Sequence, residues 1–143
     1  MSYHMEKKIK LNLGCKTDIR HGWINIDIKN YGQNMIYDLD RVPYPFKDNS
    51  VDVVLMQDII EHLKNPELVL REVYRICKDG AVVIIRTPHP KSPNMKKDKS
   101  HISPISPDFL KNFNLFPSDV LYYHCQKGLL HYWNQTVVVM VRK

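Results

Sequence analysis

A glycine and a series of carboxylates fall at the ends of successive apolar runs, and their order suggests a binding chemistry. Gly14 follows the run Ile9 to Leu13, and Asp27 falls near the end of the run Trp23 to Ile28. Asp38 follows Met35 to Tyr37, and Gln57 with Asp58 follows Val51 to Met56. A residue without a Cβ lets backbone N–H groups approach a ligand closely, and a turn at the carboxyl end of a parallel strand is where open α/β sheets bind ligands. A carboxylate at the next strand end can accept from both hydroxyls of a ribose. The series therefore suits a nucleoside, with the ribose at Asp27, an adenine amino group near Asp38 and a cationic tail near the turn. Asp and Asn also favour strand ends and turns for purely local reasons, so the weight rests on the series and not on one position. The dinucleotide fingerprint GxGxxG is absent, and Asp27 comes sooner than the roughly twenty residues expected after such a turn, which disfavours NAD.

The elements that must carry these residues are short. Seven apolar runs, the four above together with Ala81 to Ile85, Val120 to Tyr123 and Trp133 to Val141, read as strands. One strong helix lies between the fourth and fifth, with Asn65 as N-cap, Pro66 in the first turn, Val69, Val73, Ile76 and Cys77 on one stripe, and Asp79-Gly80 as the stop. Strand, helix, strand implies a parallel crossover and an α/β sheet. The links Cys15 to Gly22 and Lys29 to Asn34 are too short for the usual crossover of about a dozen residues. Either those strands are not parallel neighbours, or the crossovers are stripped to loops and one sheet face lacks its helices. The second case predicts exposed apolar surface and a partner chain, such as a second copy, to bury it. From Pro88 to Pro107 the chain reads as a long Pro, Ser and Lys-rich loop, and Ser106-Pro107-Asp108 starts a short helix, DFLKNF, before two antiparallel strands.

Length and composition set the frame. The 143 residues fit a single domain, 1–143, with one core. No apolar run is long enough to span a bilayer and the first ten residues lack the apolar stretch of a signal peptide, so a cytoplasmic location is expected. Three cysteines without a CxxC predict reduced thiols and no zinc knuckle. The formal charge is +6, and six Lys and Arg between Arg86 and Lys111 face only Asp98 and Asp108. That stretch reads either as a site for an anionic ligand or as a solvated basic loop.

The segments LNLGCK, GWINIDI, YDLD, PYPFKDNSVDVVLMQDIIEHL and PELVLREVYRICKDGAVVIIRTPHP together resemble a small class I S-adenosylmethionine-dependent methyltransferase of the type 11 group, over roughly residues 8 to 110. The resemblance implies a Rossmann-like seven-stranded sheet, mostly parallel with an antiparallel last strand, here with helices reduced on one face. It also implies S-adenosylmethionine as cofactor. Carried over by position, Leu13, Gly14 and Cys15 form the turn, Asp27 and Ile28 the ribose site, and Asp38 and Leu39 the adenine site, with Gln57 near the cofactor. Glu61 and His62 resemble the family's Glu-His pair, and Asp98 with His101 a D-x-x-H segment where relatives close over substrate. Lys16 stands where the family has a second glycine. If φ is positive there, a lysine costs on the order of 1 kcal/mol and distorts the turn, while its ammonium can instead meet the cofactor's carboxylate.

Methyl transfer from a sulfonium is an in-line displacement that needs alignment and, for a hydroxyl acceptor, a base; no metal is expected. His62, His101 and Asp58 are the candidate catalytic residues, each with a structural reading beside it, and for His89 the structural reading is favoured. His124 and His131 read as sheet or turn residues. Tyr44 and Phe46 either wall the adenine or plug the sheet edge. There is no NPPY-like tetrad and no Pro-Cys nucleophile, so a DNA base is not expected as acceptor. A small molecule, anionic ones included, fits the basic loop; RNA remains open, although no known RNA-binding module is legible. The alternative is a non-catalytic methyltransferase-like binding module or a subunit of a complex.

Overall fold

Alternation in LNL puts Leu11 and Leu13 on one face of a strand and Asn12 on the other, and all three side chains are buried. The computed structural model describes residues 5–111, 118–127 and 133–142. Strands β1 (Lys10–Leu13), β2 (Ile24–Asp27), β3 (Met35–Ile36), β4 (Val51–Gln57), β5 (Cys77–Pro88), β6 (Ser118–Lys127) and β7 (Trp133–Arg142) form one sheet in the order β3-β2-β1-β4-β5-β7-β6. The first five run parallel, and β7 is antiparallel to both of its neighbours. This is the Rossmann-like sheet expected. His131 and the last two residues of DFLKNF, Asn112 and Phe113, lie outside the described residues.

The strand order reverses between β1 and β4, and their register, Leu13 opposite Met56, sets Gly14 beside Gln57. Leu13 also pairs with Ile26, and Gln57 with Arg86, so the carboxyl ends of β2, β1, β4 and β5 form one edge. A ligand crevice is expected at such a switch point.

Helix α1 (Pro66–Ile76) makes the crossover from β4 to β5. Asn65 Oδ1 accepts from Leu68 N at 3.1 Å, Pro66 occupies the first turn, and Val69, Leu70, Val73 and Ile76 form the buried stripe. They join Val54, Met56, Val83, Ile85, Val138 and Met140 in a single core, where each large apolar side chain contributes roughly 1.5–3 kcal/mol. Helix α1 stops one residue earlier than the stripe suggested, because Cys77 opens β5 opposite Val51. The register then shifts between Val51 and Val53, so Asp79-Gly80 belongs to an irregularity within β5 and not to a helix stop. The expected loop after Pro88 contains a short helix, α2 (Pro93–Lys97), capped by Ser92 through Asn94 N, and α3 (Pro107–Lys111) follows the Ser106 start.

The strands β1, β2 and β3 are parallel neighbours, so their crossovers are indeed stripped to loops. Asn12 and Asn25 replace helical cover there with hydrogen bonds. Asn12 Nδ2 donates to Asp18 O at 2.7 Å and to Asn25 Oδ1 at 3.1 Å, while Asn25 binds the backbone of Arg20 and Trp23 and the side chain of Asn34. Further along the same face the sheet carries Val53, Val82, Ile84, Val137, Val139 and Val141, all half-buried, opposite the face covered by α1 and α3.

One polar knot ties the loop before β4 to α1. Buried Glu72 accepts from Tyr44 N at 2.6 Å and from Arg75, whose guanidinium also reaches Tyr44 O, Phe46 O and Asp48. The Arg75 hydrogen bond holds the Glu72 carboxyl below its usual range. A depressed carboxyl stabilises the fold above its unfolded pKa, and that contribution is lost as pH falls through the folded value. Glu72→Gln is therefore expected to lower Tm at pH 7 while flattening its fall between neutral pH and acid; an acid limb as steep as in the parent would contradict this.

Candidate functional site

Gly14 leaves β1 at φ +70°, and a Cβ there would sit 2.4 Å from Ile59 Cγ1, so only glycine fits. The turn is fixed by Gly14 N and Cys15 N, both donating to Ile26 O at 2.8 and 3.0 Å. The next amide, Lys16 N, donates to Asp27 Oδ2 at 3.0 Å, and Lys29 N donates to Oδ1 at 3.1 Å. Asp27, 6% exposed, is thus oriented from both sides, with lone pairs left on each oxygen. Beside it a cleft of about 120 Å³ is lined by Gly14, Asp27, Ile28, Asp38, Leu39 and Tyr37, with Ile59, His62 and Leu63 opposite. Asp38 Oδ1 accepts from Asp40 N at 3.0 Å, which shapes the turn after β3.

A second cleft, about 190 Å³, holds Asn12, Gly14, Cys15, Lys16, Gln57, Asp58 and Arg86. Lys16 and Asp58 both take left-handed conformations, φ 46° and 52°, so two non-glycine residues with positive φ sit at one site. Asp58 is held by Arg86 at 2.5 and 3.1 Å. Burial, then the Asp27 charge, pushes the Cys15 thiol up, which leaves it a turn residue and a poor nucleophile. Lys16→Gly is expected to raise stability by about 1 kcal/mol, read as a higher Tm, because the left-handed strain is released. An unchanged or lower Tm would mean that the lysine side chain holds the turn.

The third cleft, about 590 Å³, is lined by Lys16, Asp58, Glu61, His62, Arg86, Lys97, Asp98 and His101, among others. Gly14 is common to the first two clefts, Lys16, Asp58 and Arg86 to the second and third, and His62 to the first and third. The three are one trough along the strand ends. The 3₁₀ turn Ile60–His62 positions the floor of its widest part. Glu61 is fully buried; its Oε2 accepts from Thr87 Oγ1 at 3.0 Å, and burial pushes its carboxyl up to about 6. His62 Nδ1 lies 3.1 Å from Ser100 O and His101 Nδ1 3.0 Å from Asn94 O. A carbonyl only accepts, so each Nδ1 carries a proton, and in the neutral ring the lone pair is on Nε2. Burial, then His101 and Lys16, lowers the pKa of His62, and Asp98 Oδ2 lies 3.4 Å from His101 Nε2.

Of the residues singled out in sequence, Gly14, Cys15, Lys16, Asp27, Ile28, Asp38, Leu39, Gln57, Asp58, His62 and His101 all line the trough. Leu13 does not: its side chain is fully buried in the core and only its backbone leads into the turn. Tyr44 is a plug, buried, with its hydroxyl donating to Leu39 O at 2.8 Å and its ring edge-on to Tyr37. Phe46 packs partly buried against the core, and Tyr37 takes the place in the cleft wall. His89 accepts from Lys91 N at 3.1 Å and lines none of the three clefts. Sequence reasoning counted Arg86 only as the start of the basic stretch and gave it no place beside Gln57 and Asp58. Its signal was a charge ending the apolar run AVVII at the strand's carboxyl end.

Comparison with known proteins places this geometry. Residues 14–85, half of the chain, match the family model described as "Methyltransferase domain". Demethylmenaquinone methyltransferase of Lactobacillus johnsonii is 31% identical over 91 residues, 59% of this chain and 37% of that protein. Dimethylglycine N-methyltransferase of Parasynechococcus marenigrum is 31% identical over 78 residues, 54% of this chain and 28% of that one. The match thus spans well under half the length of these relatives. The crystal structure of a SAM-dependent methyltransferase from Archaeoglobus fulgidus superposes with a TM-score of 0.76 at 15% identity, covering 96% of this chain and 87% of that one, which shows a shared fold.

Proposed function

The chain belongs to the methyltransferase domain family, and on that premise we propose that it transfers the methyl group of S-adenosylmethionine to a small acceptor seated in the widest part of the trough. The observation that carries this reading is Asp27, a nearly buried carboxylate held between Lys16 N and Lys29 N beside the Gly14 turn, with acceptor capacity left for a ribose diol. The donor set along the trough suits the rest of the cofactor. Asp38 offers an acceptor for the adenine amino group, and Ile28, Leu39 and Ile59 offer apolar contact to the base. Lys16 and Arg86 offer cations for the carboxylate of the methionine end, while Gln57 and Asp58 offer acceptors for its ammonium.

The bound cofactor supplies an electrophilic methyl group on a sulfonium, and the protein's work is to hold, dry and align. The acceptor's proton, where it has one, goes to a group in the widest cleft. His62 and His101, when neutral, present Nε2 lone pairs there, whereas the Asp58 carboxylate pairs its Oδ2 with Arg86, which suits an ammonium contact better than a base. Lys16 and Lys97 on the same walls offer cations to an acceptor that carries an anionic group, beside the carboxylates Asp58, Glu61 and Asp98. Incubation with methyl-labelled S-adenosylmethionine and a panel of hydroxylated and carboxylated small molecules tests the reading. Label in an acceptor, lost in Asp27→Ala, is the expected result. The alternative of a cofactor-free binding module draws on the strained Lys16, and it would be favoured by a folded protein that neither binds nor consumes the cofactor.

The half-buried valine face supports a further part of the proposal, that a second copy or a partner chain covers it. Sedimentation velocity at micromolar concentration is expected to show a dimer, and a monomer throughout would exclude the self-association.

A further inference from the structure

We propose that Glu61, His62 and His101 form a binding site for one first-row transition-metal dication of the zinc type, open on its remaining side to the acceptor cleft. Their ligand atoms, one from each residue, lie within 4.8 Å of one another. Glu61 is fully buried, yet its Oε1 has no hydrogen-bond partner among the described residues and lies 3.8 Å from His62 Nε2, beyond hydrogen-bond reach. A buried carboxylate oxygen without a donor is costly unless a cation meets it. The two imidazoles do not supply that donor. Each gives its Nδ1–H to a backbone carbonyl, Ser100 O at 3.1 Å and Asn94 O at 3.0 Å, which leaves Nε2 of the neutral ring as the ligating atom, with Asp98 Oδ2 3.4 Å from that of His101. The rings stand 4.7 Å apart at 71°, so neither blocks the other. A metal-ligating histidine is oriented in this way, with its second nitrogen fixed by a carbonyl. Three neighbouring acceptors, one of them a buried carboxylate whose Oε1 has no partner among the described residues, are completed by a positive ion. Two imidazoles and one carboxylate favour zinc, iron(II) or cobalt(II) over magnesium or calcium, which take oxygen ligands.

Ligands of one such ion stand about 3–4 Å apart, so a small rotation of one side chain closes the site. The ion's use in catalysis rests on the proposed methyl transfer; its binding does not. With the ion bound, the Nε2 lone pairs of His62 and His101 would be ligands and no longer bases. The dication would instead stabilise the oxygen of an acceptor hydroxyl as its proton leaves to solvent. That oxygen then takes the methyl, the sulfonium S–C bond breaks, and the products are a methyl ether and a neutral thioether.

The test is titration of the metal-stripped chain with Co²⁺, without cofactor, followed by visible absorption and displacement by Zn²⁺. One Co²⁺ per chain is expected. His62→Ala, His101→Ala and Glu61→Gln should each weaken it at least ~10-fold, and His21→Ala, on an exposed loop, should not. Glu61→Gln retains an oxygen for Thr87, so its loss of Co²⁺ at an unchanged Tm reads the metal contact and not the fold. No Co²⁺ bound, or an affinity indifferent to all three substitutions, would overturn the site. Because S-adenosylmethionine is absent, either result stands apart from the fate of the methyl-transfer reading.

Discussion

Asp27→Ala is expected to reduce affinity for S-adenosylmethionine by at least ~100-fold. Two hydrogen bonds from ribose hydroxyls to a carboxylate are worth roughly 1.5–3 kcal/mol each, and every 1.4 kcal/mol is tenfold in affinity. The substitution also frees Lys16 N and Lys29 N, so part of the loss comes from a turn no longer tied to the end of β2. Asp27→Asn separates the two contributions. An amide of the same shape can still accept from one of these backbone groups but loses the charge, and an intermediate loss of about 10-fold follows. Calorimetric titration of both variants, with Tm measured in parallel, reads the result. An Asp27→Ala protein that binds within twofold of the parent would remove the ribose assignment.

Gly14→Ala is expected to lower stability by roughly 2–5 kcal/mol and to abolish cofactor binding. About 1–2 kcal/mol arises from placing a Cβ at φ +70°, and overpacking adds about 1–3 kcal/mol. The clash is with Ile59 Cβ, Cγ1 and Cδ1 at 2.6, 2.4 and 2.7 Å, atoms that include the base of the side chain and so cannot swing clear. Gly22, at φ +78° with nothing within 4 Å of an added Cβ, isolates the backbone share: Gly22→Ala should lower Tm by less than half as much. The double variant Gly14→Ala with Ile59→Ala should regain part of the loss. A Gly14→Ala Tm equal to that of Gly22→Ala would show that Ile59 yields freely.

The edge of the trough was legible because each of its residues follows a strand whose alternation is plain in sequence. Gly14, Asp27, Asp38 and Gln57 need only the parallel register to become neighbours, and a run of short strands with one long helix implies that register. A positive φ at Lys16 entered the sequence reading only as a condition, suggested by the glycine it replaces, and φ 46° meets that condition. Glu72 was not legible. Its partners, Tyr44 N and Arg75, meet only after the loop before β4 folds over α1, and nothing local distinguishes it from Glu67 on the same helix, whose partner is the exposed Arg71. Asp79-Gly80 misled for a related reason. A turn signal after a helix also serves an irregular strand, and pairing of Cys77 with Val51 decided between them. The helix at Pro93 carried a readable Ser-Pro start, obscured by the prolines and lysines around it. Missing helices on the second face were foreseen from the short links, but the buried Asn12 and Asn25 that cover part of it depend on the path of the Thr17 to Trp23 loop.

Binding of the demethylated cofactor in the trough is the property on which methyl transfer by this chain most directly depends. Isothermal titration of the parent chain with S-adenosylhomocysteine is predicted to give one site per chain with micromolar affinity, lost in Asp27→Ala; no heat from a folded parent protein at millimolar ligand would contradict it.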